Sequence, residues 1–406
     1  MNTSPTVLII GIGPLRERFF TAAERRGVNT ILVDETAYSR YDRLATENYA
    51  WRLADHHKPG PDLDLLKPLA DRADGVLALT DWGTHIAADI AQMKGLPGVG
   101  ESVAQLSDKA DVRNRLIGTE AELPFALTAD PAEAADLLRT AAHGSVVVKP
   151  VDGSASLGVR HITRAQDLPD ALAAVMASTG QPHVLVEHYV PGPEVSIEAV
   201  VAQGCVRFVS VTEKTCAPAS FIETRHVIDP ATQVEQVPSA TRFVETLTNA
   251  LGIDNAILHL EAKHDGKNWH LIEVAFRPAG DLISDILLQA AGVDIYDAAL
   301  ALALGDHDPV LRMRQDRIPS VAAVEFVAAT GMVADAPSMA DVRRGLPLVS
   351  RAERLLPPGT TLKSVDANWW RAGYTLASGH DRTEVLSQLA EANARLIELL
   401  GLTPLS

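Results

Sequence analysis

The sequence predicts an α/β protein of two or three domains, and three observations carry that expectation. TVLIIGIG (6–13), an amphipathic stretch over 15–26 and NTILVDE (29–35) read as strand, helix and strand, a βαβ opening. Apolar strands interrupted by single charges recur through the middle, as in VVVK (146–149), ILHLEAK (257–263) and LIEVAFR (271–277). Near the end Val385, Leu386, Leu389, Leu396, Ile397 and Leu400 lie along one helical face. The chain has 406 residues, 47% hydrophobic and 22% charged, the composition of an ordinary globular protein long enough for several cores.

A formal charge of −16 argues against a protein whose main task is gripping a nucleic-acid backbone. Any anionic ligand must therefore be held by local cations against the overall field. Two cysteines, Cys205 and Cys216, form neither a disulfide framework nor a metal-ligand spacing, and a reducing cytoplasm is the expected compartment. The start reads as a first strand and not a signal peptide, because charges at Arg16, Glu17 and Arg18 follow VLII at once. No membrane span is expected: the most apolar run, 286–304, is interrupted by Gln289, Asp294 and Asp297.

In the opening unit Gly11-Ile12-Gly13 suggests a dinucleotide turn and Asp34 a ribose-binding acid, but Arg16 stands where the third glycine is needed. GVLALTD (75–81) reads as a later strand of the same sheet, and its end, Asp81, Trp82, Thr84 and His85, falls where open α/β sheets place ligands. A helix over about 84–94 then stops at Gly95-Leu96-Pro97-Gly98, a sensible domain edge. Around 107–116 Ser107 is expected as the helix N-cap with Asp108 in the first turn.

The stretch VVVKPVDGSASLGV (146–159) joins a buried strand to one lysine and a small, flexible loop. Lys149 supplies a compact charge, and Gly153, Ser154, Ser156 and Gly158 let backbone N–H groups converge on an anion. Taken alone it is equally a Gly/Ser turn. Pro191-Gly192-Pro193 breaks the chain between two apolar strands at 184–190 and 195–201. Glu261 and Glu273 each interrupt an apolar strand on either side of Asp265-Gly266-Lys267-Asn268, so the strands read as a hairpin. Two carboxylates side by side repel unless a divalent cation lies between them. Sharing a face requires the right register, and without a bulge that demands a loop of three or five residues.

Taken in order, Ser107-Asp108-Lys109 with Arg113, then VVVKPVDGSASLGV, VEHYVPGPEVSIE (186–198), ILHLEAK and LIEVAFRPAGD (271–281) resemble the ATP-grasp superfamily. The resemblance covers most of 106–281. It implies an ATP-grasp fold with an N-terminal Rossmann-like α/β domain (1–105), a two-lobed ATP-grasp domain (106–315) and a small C-terminal α+β domain (316–406). It implies ATP with Mg²⁺ or Mn²⁺ as cofactors. Lys109 and Lys149 would then reach the nucleotide phosphates together with the loop of Gly153, Ser154 and Ser156. Glu187 and the backbone near Tyr189 would meet adenine, Glu194 the ribose, and Glu261 and Glu273 the metal. Arg277 would stabilise an acyl phosphate and its tetrahedral oxyanion.

One departure matters. The common family pattern is Glu-x-Asn-x-Arg, and here Ala275 replaces the asparagine in Glu273-Val274-Ala275-Phe276-Arg277. With Pro278-Ala279-Gly280-Asp281 following, the chain is more similar to the L-amino-acid ligase (dipeptide synthetase) branch. That implies small-molecule partners, an amino acid and an amine, with no nucleic acid or membrane partner; a homodimer is left open. The polar stretch 212–230, with Glu213, Lys214, Glu223, Arg225 and His226, is expected as a loop over the substrates, or as a solvated face. Within it His226 is the candidate base for the incoming amine. Two other readings stand beside this one: an ATP-grasp ligase transferring a formyl or carboxyl group to a phosphoribosyl substrate, and a non-catalytic ATP-binding module.

Overall fold

The computed structural model describes residues 4–34, 41, 43–50, 63–99, 103, 106, 108–151, 158–217, 222–313, 318–336, 338–365 and 367–405. The opening unit forms as expected. Strand β1 (Thr6–Ile10), helix α1 (Glu17–Arg26), β2 (Asn29–Asp34), β3 (Glu47–Ala50), α2 (Leu63–Ala70), β4 (Gly75–Ala78) and α3 (Asp81–Lys94) build a parallel sheet in the order β3-β2-β1-β4. Because β2 and β4 lie on opposite sides of β1, the crevice beyond the β1 and β4 ends is a topological switch point. Asp81 and Gly11 both sit there.

Gly11 is not a nucleotide turn in this setting. It has φ +70°, and a Cβ would lie 2.1 Å from Thr80 Oγ1 and 2.6 Å from the Trp82 ring. Its missing side chain lets the β1 turn press against the β4–α3 turn.

Helix α4 (Lys109–Leu116) is capped by Asp108, whose Oδ1 accepts from the Ala110 N–H at 2.7 Å. The expected cap, Ser107, lies outside the described residues, and the helix begins one position later than a Ser107 cap would set it. Next come β5 (Phe125–Thr128), α5 (Pro131–Thr140), β6 (Val146–Lys149), β7 (Arg160–Ile162), α6 (Leu168–Thr179) and β8 (Val184–His188), a four-stranded sheet in the order β5-β8-β6-β7.

The other lobe is an eight-stranded antiparallel sheet. It is formed by β9 (Glu194–Ala202), β10 (Cys205–Cys216), β11 (Glu223–Ile228), α7 (Pro230–Leu251), β12 (Ala256–His264), β13 (Trp269–Ala275), α8 (Ile283–Ala291), α9 (Ile295–Ala303), α10 (Asp308–Leu311) and β14 (Val321–Phe326). Beyond β14, β15 (Ala329–Met332), β17 (Thr361–Leu362) and β19 (Thr403–Pro404) form a separate three-stranded sheet, β16 (Val349–Arg354) and β18 (Gly373–Gly379) complete the eight strands, and α11 (Ala340–Arg343) and α12 (Arg382–Leu399) lie in the same stretch. The strand order is β13-β12-β9-β10-β11-β14-β18-β16, so one sheet runs across the boundary expected at 315, with β11 bonded to β14.

Two expectations are corrected. Most of the described part of 212–230 is not loop: 205–216 and 223–228 are paired strands, and alternation in VRFVSVTEKT is the signal for them. The apolar run that begins at Ile283 also reads along the chain as one buried helix, and it is two helices bent by 107° at a break beginning with Gly292. No single helix among the described residues is long and apolar enough to cross a membrane.

Period-two alternation sorts the large sheet into two faces. Val195, Ile197, Ala199 and Val201 of β9 pack with Leu258, Leu260 and the α7 residues Phe243, Val244 and Leu247. The residues between them, Glu194, Ser196 and Glu198, point to the opposite face, as do His259, Glu261 and Lys263 of β12. Farther along, that opposite face is apolar. Val200 and Ile257 join Val7, Ile9 and Phe19 of the first domain, together with Ile286 and Tyr296, in one continuous core. The N-terminal sheet is thus packed onto the edge of the charged face.

Candidate active site

The hairpin of Glu261 and Glu273 is aligned by a bulge. His264 pairs with Trp269 across the four-residue connection 265–268, an even count that by itself would put the glutamates on opposite faces. Ile272 is an extra residue between the Glu261–Glu273 pair and the Ala262–Leu271 pair, and it restores the register so that the two carboxylate residues oppose each other directly. The expected loop of three or five residues is therefore wrong, while the shared face is right. The bulge also turns the Ile272 carbonyl to Lys149 Nζ at 3.1 Å and Arg113 Nη2 at 3.2 Å.

On the nucleotide side two buried cations share one buried anion. Glu187 accepts from Lys149 Nζ at 2.6 Å and from Arg113 Nε, and all three residues are at most 6% exposed. Burial opposes ionisation of Glu187, yet the Arg113 and Lys149 charges hold its carboxyl below the ordinary value. Lys149 is lowered by burial, which outweighs Glu187. The cluster keeps one net positive charge, which suits an incoming phosphate. Both oxygens of Glu187 face cations, so it is an ion-pair partner in addition to being the adenine candidate.

Tyr189 stacks on His161 with centroids 4.2 Å apart and lies under Lys263 Nζ at 5.0 Å. Its N–H is spent on the Ser145 carbonyl at 3.1 Å. Gly153, Ser154 and Ser156 lie outside the described residues.

On the metal side Lys109 Nζ is 3.2 Å from Glu273, and Lys214 Nζ is 3.1 Å from Glu261. Burial and the neighbouring Glu261 raise the Glu273 pKa in spite of Lys109. Lys214 also contacts Glu194 at 2.7 Å and Glu223 at 2.7 Å, so Glu194 is an ion-pair partner in addition to being the ribose candidate. Those three carboxylates raise Lys214 well above its ordinary value against burial. Opposed, repelling carboxylates each held by a lysine fit a Mg²⁺ or Mn²⁺ ion, which would relieve the same repulsion.

His226 is fully buried on β11, opposite Lys214, with Nε2 3.2 Å from Glu223 and 3.9 Å from Asp281. Burial alone would lower its pKa, but the two carboxylates outweigh it and raise it. His226 thus sits between two acids that favour its charged form, at the position where the sequence reading expects a base for the amine. Arg371 closes this row at 2.5 Å from Asp281, 3.8 Å above the Phe326 ring, and donates to the Glu223 carbonyl at 3.2 Å. Glu223, His226 and Asp281 bring ligand atoms within 4.8 Å of one another. Lys214 and Arg371 already pair with those acids.

Arg277 meets the N-terminal sheet. Its Nε donates to Asp81 Oδ1 at 2.8 Å and its Nη2 to Oδ2 at 2.7 Å. The cleft is deep but wet, since Asp81, Glu273 and Glu261 keep 43%, 34% and 25% of their side-chain surface exposed. The sequence reading missed Lys214 as a hub, and Arg371 and Arg16 altogether. Strand alternation could have found Lys214; nothing local marks the other two.

Residues 143–285 match the ATP-grasp domain family. That stretch therefore reads as an ATP-grasp domain. It is 24% identical over 348 residues to the ATP-grasp enzyme fsqD of Aspergillus fumigatus, an alignment covering 73% of this chain and 59% of the relative's length. In fold it is similar to an L-amino acid ligase from Bacillus licheniformis, with a TM-score of 0.79 at 20% identity over 97% of this chain and 98% of the other. A phosphoribosylglycinamide synthetase from Anaerococcus prevotii is similar too, with a TM-score of 0.76 at 16% identity over 99% and 100%.

Proposed function

We propose that this protein is an ATP-dependent carboxylate–amine ligase that joins an amino acid to an amine, a second amino acid in the simplest case. The observation that carries the reading is the bulge-aligned pair Glu261 and Glu273, flanked by Lys109 and followed by Arg277. That grouping suits phosphoryl transfer to a carboxylate: it offers two acids for a divalent cation and permanent charge for the oxyanion.

In this reading Lys109, Lys149 and Arg113 hold the triphosphate, and Glu261 and Glu273 would hold Mg²⁺, which supplies charge neutralisation when bound. The acid's carboxylate attacks the γ-phosphoryl group, the bond to ADP breaks, and an acyl phosphate forms. The amine nitrogen then attacks the acyl carbon, phosphate leaves with the C–O electron pair, and the amine loses a proton. Arg277 faces the charge that develops on the carbonyl oxygen. Likeness in fold to an L-amino acid ligase supports an amino-acid substrate.

The test is phosphate release from ATP and Mg²⁺ with all pairs of amino acids, with products identified by mass. ADP, phosphate and a dipeptide or related amide are expected. AMP with pyrophosphate, or activity only with a phosphoribosyl substrate, overturns the reading.

A further inference from the structure

We propose that Asp81 of the N-terminal domain is the positioning residue for Arg277, holding the guanidinium in one plane so that its outer edge is presented to the reacting carbonyl. The inference rests on the role given to Arg277 above.

Asp81 opens α3 at the end of β4, at the switch point of a sheet 196 positions away in sequence from Arg277. Its two oxygens take the Nε and Nη2 edge side-on, a geometry that fixes the plane of the fork as well as its location. Nη1 donates to the Pro278 carbonyl at 3.1 Å. Of the five N–H groups an arginine carries, these contacts use three, and the remaining pair is available to an oxyanion.

The backbone on both sides of this pair is pinned by a second arginine. Arg16, 4% exposed, donates to the carbonyls of Leu79 at 3.3 Å, Pro278 at 3.2 Å and Ala279, and to the Tyr296 hydroxyl at 3.1 Å. Segments 79–81 and 277–279 therefore share one clamp, and Asp81 meets Arg277 from a fixed base. Beneath the guanidinium the sheet presents the Glu198–His259 pair, 2.7 Å apart, and Glu273 lies on the same side. Without Asp81 the guanidinium would have Glu273 and Glu198 as competing partners, and its plane would no longer be set. Because Arg16 and the shared apolar core also join the domains, loss of the Asp81 carboxylate leaves the docking intact.

Asp81→Asn keeps the shape and removes the charge. In arginine-selective nitrogen-15 spectra the Arg277 Nε–H signal, identified by its loss in Arg277→Lys, is expected to be protected from exchange in the native chain. It should broaden or vanish in Asp81→Asn and recover in part in Asp81→Glu. With the amino-acid pair found active in the phosphate-release screen, Asp81→Asn should lower kcat roughly tenfold to a hundredfold, with the KM for ATP changed by less than about threefold. In an Arg277→Lys background the same substitution should cost no further activity. An unchanged Nε–H signal in Asp81→Asn, or an equal loss of kcat in both backgrounds, overturns the proposal. If the native chain turns over no amino acid, the ligase reading falls, while the spectra still decide whether Asp81 holds Arg277.

Discussion

The two ends of the cleft are built from the same residue types to opposite effect. At the end proposed for the nucleotide Lys149, Arg113 and Glu187 are buried together and leave one positive charge over. At the other end Arg371, Asp281, His226, Glu223, Lys214 and Glu261 alternate in sign from the C-terminal region to the metal pair. A buried cluster with surplus charge waits for a counter-ion, whereas an alternating row is satisfied already and its value lies in holding geometry. Substitutions at the first end should therefore act on ATP binding, and at the second on the other substrate.

The largest effect is expected where the two ends meet. Glu273→Gln should lower turnover by at least about a hundredfold, with stability changed by less than about 1 kcal/mol, because the carboxylate is already hard to ionise where it lies. Phosphate release and thermal unfolding measure both, and a variant that keeps its rate would remove the metal pair from the mechanism.

Lys149→Ala comes next. It should weaken ATP binding by about tenfold or more and destabilise by roughly 1–3 kcal/mol, because Glu187 keeps only Arg113 as its partner. Calorimetric titration with ATP and Mg²⁺ checks the first and denaturant unfolding the second. Unchanged ATP affinity would break the contrast between the two ends.

Arg371→Met should leave ATP binding within about twofold and raise the KM for the amino acid by roughly tenfold, since Asp281 loses its strongest partner. Equal changes in both constants would show that the alternating row is not confined to one substrate.

The smallest effect is a pH dependence. The pKa of His226 is raised in the folded chain, so its charge contributes stability that is fully present below an unfolded value of about 6.5 and is lost as pH rises through the folded value. His226→Gln should thus lower Tm more at pH 6 than at pH 9. A Tm difference independent of pH would mean that His226 is neutral in the fold, and would support its role as a base.

Much of this was legible in order along the chain. The βαβ opening, the strand ending at Lys149 and the acid-bearing strands around 261 and 273 are local patterns, set by alternation and by where glycine and proline interrupt it. The candidate phosphate and metal residues come from the family resemblance, and Lys149, Glu261 and Glu273 among them sit at a strand end or on a fixed strand face. Other features needed the tertiary structure. A bulge at Ile272 depends on which strand lies beside which, and it decides whether Glu261 and Glu273 face each other at all. The raised pKa of His226, the three partners of Lys214 and the meeting of Asp81 with Arg277 depend on charges brought together from strands and domains distant in sequence. A sequence fixes how each segment alternates; only packing fixes which charges become neighbours, and at these separations neighbours determine protonation and orientation.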